Sequence, residues 1–316
     1  MTTAARNRAL AIGLSLIAAF TWATYYLFVL WVSPGTPPSA IVVYPFVFGG
    51  GAYAALALVQ GHATAFGRVW RTSDAYVRVA FLMGMQLSVL ASTLLAGPVD
   101  TSLLALIGDV IATPILAAWL VGLYRKQIGT PLFVAGLVTS LLGGTMAILG
   151  GQRLAPVPYV GWLAVAAVPV MTAFYFVLTA RAGETAPSSA IVAQSMLAAA
   201  VVSLVIAPLV PGGWSGILHI APLPLAALAA TGLTSFFLAP LVYFRAIDRV
   251  GLVLPPMLMT AIPVFTLLLS AGVLGLGLPL LAVLGVPVAA AGGILALRAY
   301  TASAAPAQLP SGPTEE

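Results

Sequence analysis

The sequence predicts an all-α membrane protein, with ten transmembrane helices forming two inverted five-helix repeats around a central cavity. Three observations lead there. The 316 residues are 61% hydrophobic and only 6% charged, a balance that a water-soluble domain of this size does not keep in solution. A spanning helix takes about 20 predominantly apolar residues, and the chain divides into runs of that length. The basic residues stand singly at the ends of those runs, the arrangement that orients helices in a bilayer.

The runs lie at 9–32, 39–60, 76–95, 101–123, 130–150, 159–180, 189–210, 223–245, 252–274 and 279–299. The first is too long for a signal peptide and lacks a small-residue cleavage pattern at its end, so it reads as a retained helix; it carries Trp22, Tyr25 and Tyr26. The second is apolar throughout, and the third adds Met83, Gln86 and Ser88. The fourth holds Asp109, Thr113 and Pro114, and the fifth is glycine-rich with Gly143 and Gly144. In the sixth stand Phe174 and Tyr175, in the seventh Gln194 and Ser195, in the eighth Thr234, Ser235 and Tyr243. Met257, Met259 and Pro263 belong to the ninth, and Gly292 and Gly293 to the tenth. From Ala305 onward Pro, Ser, Gln and Glu make a polar tail, so residues 301–316 read as a disordered cytoplasmic segment.

Lys and Arg are retained on the cytoplasmic side of a membrane. With the N-terminus inside, the cytoplasmic segments hold Arg6, Arg8, Arg68, Arg71, Arg78, Arg125, Lys126, Arg181, Arg245, Arg249 and Arg298, leaving only Arg153 outside. One helix more or fewer inverts every later loop, so ten spans with both termini cytoplasmic is the consistent solution. No basic residue is then expected inside a span.

Spans four and five recur in spans nine and ten without a gap. Pro263 lies 149 residues after Pro114 (263 minus 114), and at the same spacing Ala112 matches Ala261, Gly136 matches Gly285, Gly143 matches Gly292 and Ala147 matches Ala296. A weaker echo joins Gly13, Thr24 and Phe28 of the first span to Gly161, Thr172 and Phe176 of the sixth. The chain therefore reads as repeats over 1–150 and 151–300, and an odd number of spans per repeat makes the second copy enter from the opposite side. Inverted repeats are a mark of secondary transporters, because two similar halves of opposite orientation give two nearly equivalent states open to opposite sides.

The absence of cysteine removes disulfides, thiolate metal sites and cysteine nucleophiles, and with His62 and His219 both in loops no metal or other cofactor is expected. The +5 net charge belongs to loops and gives no nucleic-acid surface. The partners expected are a small-molecule substrate and the lipid bilayer, and the chain is compatible with a monomer.

Asp109 is the acidic residue well inside a span, and a carboxylate there normally faces a bundle interior or wet cavity. It has two readings: a group that holds a substrate ammonium or takes a proton, or a hydrogen-bonded structural acid. Trp22, Tyr25, Tyr26, Phe174 and Tyr175 can stack on planar substrates or simply pack the helices. Met83, Gln86, Thr113, Gln194, Ser235 and Met259 complete the expected cavity, with interhelical hydrogen bonding and gap filling as their alternative roles. Pro114 and Pro263, in equivalent mid-span places, are expected to kink their helices, as hinges or as static bends.

The GDVIATPILAAWLVG and MTAIPVFTLLLSAGVLG segments, each followed by a glycine-rich span, and the FTWATYYLF of the first helix resemble the drug/metabolite transporter superfamily, in its ten-span branch of two EamA repeats. The TWATYYLF start and the single acid of the fourth span are similar to the YddG-type exporters of aromatic amino acids. The resemblance implies a transporter, not an enzyme, that exports aromatic or apolar amino acids across a bacterial inner membrane by alternating access. A multidrug or cationic-compound exporter of the same fold is the alternative. A channel or an intramembrane enzyme would need a continuous polar lining or a convergent catalytic set that these residues do not supply.

Overall fold

The computed structural model describes residues 3–62, 67–120, 128–150, 159–183, 186–250, 255 and 258–303, which form helices and turns without a strand. Helices α1 (Thr3–Val32), α2 (Pro38–Val59) and α3 (Ser73–Leu95) are continuous. Helix α4 runs Pro98–Ile107, widens into a π turn at Gly108–Ala112 and resumes over Thr113–Leu120. Helices α5 (Pro131–Gly150), α6 (Tyr159–Ala182) and α7 (Ser188–Ile206) follow. Helix α8 again has three pieces, Pro222–Thr231, a π turn at Gly232–Leu238, and Ala239–Val250. Helices α9 (Ala261–Gly272) and α10 (Leu280–Ser303) end the described chain. The expected tail from Ala305 lies outside the described residues.

Five of these stretches, Ala5–Val32, Pro38–Val59, Asp74–Leu95, Ser188–Leu209 and Pro222–Val250, are long and apolar enough to cross a bilayer, and five shorter apolar stretches accompany them in α4, α5, α6, α9 and α10. Their surfaces are inverted relative to a soluble protein. Val59 and Leu209 are 86% and 85% exposed, whereas Arg78, Gln194 and Ser195 are wholly buried. Lipid tails solvate the exposed apolar side chains, and polar groups, which lipid cannot satisfy, turn inward. The chain is a multi-pass membrane protein.

Eight helices close a ring in which each packs on the next, in the order α3, α6, α4, α9, α1, α8, α2, α7 and back to α3. Helices α5 and α10 pair outside it, against α4 and α9. Exchanging α1 with α6, α2 with α7, α3 with α8, α4 with α9 and α5 with α10 maps these neighbour relations onto themselves.

The α5–α10 seam carries the same exchange at atomic scale. A Cβ on Gly136 would stand 2.3 Å from Ala296 N, and one on Gly285 would stand 2.5 Å from Ala147 N. One on Gly143 would meet Ala289 N at 2.2 Å, and one on Gly292 would meet Ser140 N at 2.2 Å. Each contact becomes its counterpart when both residues move by 149, the separation of Ser140 and Ala289, whose hydroxyl and carbonyl are hydrogen-bonded at 2.8 Å. As the position on α5 rises the position on α10 falls, so the two helices run antiparallel. The paired glycines of the sequence do not act alike: Gly143 and Gly292 lie in the seam, while a Cβ on Gly144 would meet only Ile107 Cδ1 at 3.7 Å.

The two π turns have one physical cause. In α4 the Thr113 N–H donates to the Gly108 carbonyl, and in α8 the Ala239 N–H donates to the Thr234 carbonyl, each five residues back. The next residues, Pro114 and Pro240, have no N–H, and in a regular helix a proline crowds the carbonyl four residues back, a conflict that a wider turn relieves. Pro263 departs from the expected mid-span kink. It is the third residue of α9, which starts at Ala261 after the N-cap residue Thr260. A proline in a first turn removes no helical hydrogen bond, because that N–H has no intrahelical acceptor.

Candidate functional site

Helices α1, α3 and α8 bring their polar and aromatic residues together inside the ring. The Trp22 indole Nε1–H donates to the Ser235 carbonyl at 3.1 Å, and the Ser235 hydroxyl donates back to the Thr21 carbonyl at 3.1 Å. Ser235 stands five residues before Pro240, which has no N–H to give to the preceding turn, and its carbonyl accepts from the indole. The Gln86 amide donates to the Tyr25 hydroxyl, joining α3 to α1.

Rings fill the remaining space. Trp22 packs edge-on against Tyr243 at 5.3 Å, and Tyr25 lies 5.7 Å from Tyr26 and 5.6 Å from Phe236. Phe236 also meets Phe46 at 5.0 Å, and Phe176 meets Tyr243 at 6.0 Å. These edge-to-face pairs point positive ring edges at negative ring faces, which favours a fixed arrangement over a loose apolar fill. Met83 and Met259 are buried in the same core.

On the other side of α3 the rings of Phe81 and Phe174 stack in parallel with centroids 4.4 Å apart. Tyr175 is buried beside them. One helical turn before Phe81, Arg78 is wholly buried and donates from Nη2 to Gln194 Oε1 at 2.8 Å and from Nε to Ser195 Oγ at 3.1 Å. This corrects the expectation of no basic residue inside a span: Arg78 sits within the apolar stretch Asp74–Leu95, turned into the protein. The signal was present in the sequence, where Val77 and Val79 flank it, placing it within an apolar run and not at its end.

The expected cavity residues thus divide into groups. Trp22, Tyr25, Tyr26, Gln86 and Ser235 converge at α1, α3 and α8; Phe174, Tyr175 and Gln194 lie toward Arg78. The Thr113 hydroxyl donates to the Gly108 carbonyl at 2.8 Å, within the π turn. The side chains of Asp109 and Pro114, and all of Met257, lie outside the described residues. Sequence reasoning passed over Phe81, Phe236 and Arg78; each aromatic is one apolar residue among many until a partner helix faces it.

Three comparisons bear on this arrangement. Residues 159–298 match the EamA-like transporter family. No curated protein matches the chain. Among solved structures, one described as "Crystal structure of protein" is 22% identical, with a TM-score of 0.67 over 90% of this chain and 97% of that one. At that identity the likeness concerns the fold alone.

Proposed function

We propose, from the premise that residues 159–298 carry an EamA-like transporter domain, that the chain is a secondary transporter exporting small organic metabolites, foremost aromatic or apolar amino acids. The domain itself implies a membrane transporter of small solutes. The observation that carries the finer reading is the set of half-buried Trp22 and buried Tyr25, Gln86, Ser235 and Tyr243, inside a ring of helices whose halves exchange. Aromatic faces stack on planar or apolar side chains, and Gln86 and Ser235 offer hydrogen bonds without a formal charge.

Ten spans in two inverted halves account for the neighbour exchange and for the antiparallel α5–α10 seam. Equivalent helices of oppositely oriented repeats must run antiparallel, and a shared axis between them places each contact opposite its copy. Alternating access then consists of the two four-helix groups rocking about the seam, with α4 and α8 bending at their π turns. The charge distribution supports cytoplasmic termini in a bacterial inner membrane. Asp109 is the residue for proton coupling, as the acid that the sequence places well inside a span.

Uptake of labelled phenylalanine into proteoliposomes tests this reading. Saturable uptake, accelerated by unlabelled phenylalanine or tryptophan inside and competed less by leucine, is the expected result, with its pH dependence lost in Asp109→Asn. Competition by organic cations but not by amino acids would favour the multidrug reading. Ohmic current would indicate a pore, and chemical conversion of the substrate an enzyme.

A further inference from the structure

We infer that Arg78, with Gln194 and Ser195, forms a carboxylate-binding station separate from the aromatic cluster and nearer one membrane face. The inference deepens the transport reading and rests on it for the direction of flow. The guanidinium uses Nη2 and Nε on Gln194 and Ser195. Its Nη1, the amide Nε2 of Gln194 and the hydroxyl of Tyr53 are buried without a hydrogen-bond partner among the described residues. Tyr53 and Arg78 each lie within Coulombic range of Tyr175, and the Tyr53 ring packs on Phe237 of α8 at 5.0 Å.

Each of the three can donate a hydrogen bond, and one of them belongs to a group that stays charged at any physiological pH. Unsatisfied donors around a buried cation suit an anion and repel an ammonium. The planar guanidinium, with one edge held by protein and one free, matches a carboxylate in shape as well as charge. Asp74, one turn earlier on α3, is the chain's own carboxylate within Coulombic range and competes for the same cation. The stacked Phe81 and Phe174 adjoin the site with an apolar surface.

The depth of the station follows from the helices. Arg78, Gln194 and Tyr175 are each about one and a half to two turns from the end of their helix at which α2 leads to α3 and α6 leads to α7. At that end His62 Nδ1 and Ser189 Oγ are hydrogen-bonded at 3.2 Å. Gln86 is eight residues farther along α3 than Arg78, about 12 Å at the helical rise. The two sites are therefore offset along α3. Ala227 stands 149 residues after Arg78, the separation of Ser140 and Ala289, and α8 has no basic residue before Arg245. The exchange of halves therefore does not create a second such station. In the threading proposed above this end is cytoplasmic, where an exported carboxylate is first recognised.

Thermal shift and equilibrium binding on the purified full chain in detergent test it, with phenylalanine, 3-phenylpropionate, phenethylamine and inorganic phosphate as ligands. Both carboxylates should bind the unaltered protein at least tenfold more tightly than phenethylamine or phosphate. Arg78→Gln should lose at least tenfold for the carboxylates with phenethylamine unchanged. Arg78→Lys, which keeps the charge without the fork, should give an intermediate loss and serves if Arg78→Gln does not fold. Equal binding of phenethylamine, preference for phosphate, no carboxylate binding at all, or insensitivity to both substitutions would overturn the station. Phenylalanine uptake unaffected by Arg78→Gln would remove the station and leave the transport reading standing; Arg78-dependent carboxylate binding without amino-acid uptake would do the reverse.

Discussion

Pro240 has no N–H to give to the turn before it, and the Ser235 carbonyl in that turn accepts from the indole of Trp22 on another helix. This pairing explains why a tryptophan, and not merely an aromatic ring, stands there. An unmatched buried acceptor costs ~1–3 kcal/mol, so Trp22→Phe, which keeps the ring and removes the donor, should destabilise the protein by about 1 kcal/mol or more. Pro240→Ala restores a backbone N–H within reach of that carbonyl. In the Pro240→Ala background Trp22→Phe should therefore cost less, and a double-mutant cycle of thermal unfolding in detergent measures the difference. Equal costs in both backgrounds would mean that the indole hydrogen bond is incidental. The sequence marked Trp22 and Ser235 as candidates from residue type alone. It did not pair them, because the link depends on a carbonyl, and every residue carries one.

Helices show the same division between what a sequence displays and what packing decides. Apolar run length located the helices, since a bilayer demands about 20 residues of one character whatever their neighbours. The 149-residue spacing likewise exposed the related glycines and prolines. Function at those positions needed the partner helix. Pro114 and Pro263 match in sequence, yet one sits just past a π turn and the other opens α9, while Pro240 does what the match suggested for Pro263. Gly143 and Gly144 are adjacent, but only the first faces α10 across the seam. Gly143→Ala places a methyl 2.2 Å from Ala289 N and must push the backbones apart, whereas Gly144→Ala meets the flexible end of Ile107 at 3.7 Å. Overpacking of this kind costs ~1–3 kcal/mol, so thermal unfolding should show a clear loss for Gly143→Ala and almost none for Gly144→Ala. Comparable losses would mean that the α5–α10 contact is looser than described.

At the scale of the molecule, the ring of eight helices and the outlying pair obey a single exchange of halves, and the proposed transport cycle depends on it. The proposed threading rests on loop charge, because the basic residues gather on one side only for a ten-span count. The valines that flank Arg78 mark it in the sequence as lying within an apolar run, and its burial among neighbouring helices shows which way it faces. Two arginines with the same sequence spacing from a helix end can face water or the core, and only the neighbouring helices decide. The chain has no cysteine, so single cysteines can be introduced and read one at a time without a background. The most direct measurement is side-specific labelling, with an impermeant maleimide, of Arg125→Cys after α4 and Leu274→Cys after α9, two positions with the 149-residue separation of Ser140 and Ala289. Oppositely threaded halves require position 125 to react only from the cytoplasmic side and position 274 only from the outside; both reacting from one side would contradict the account.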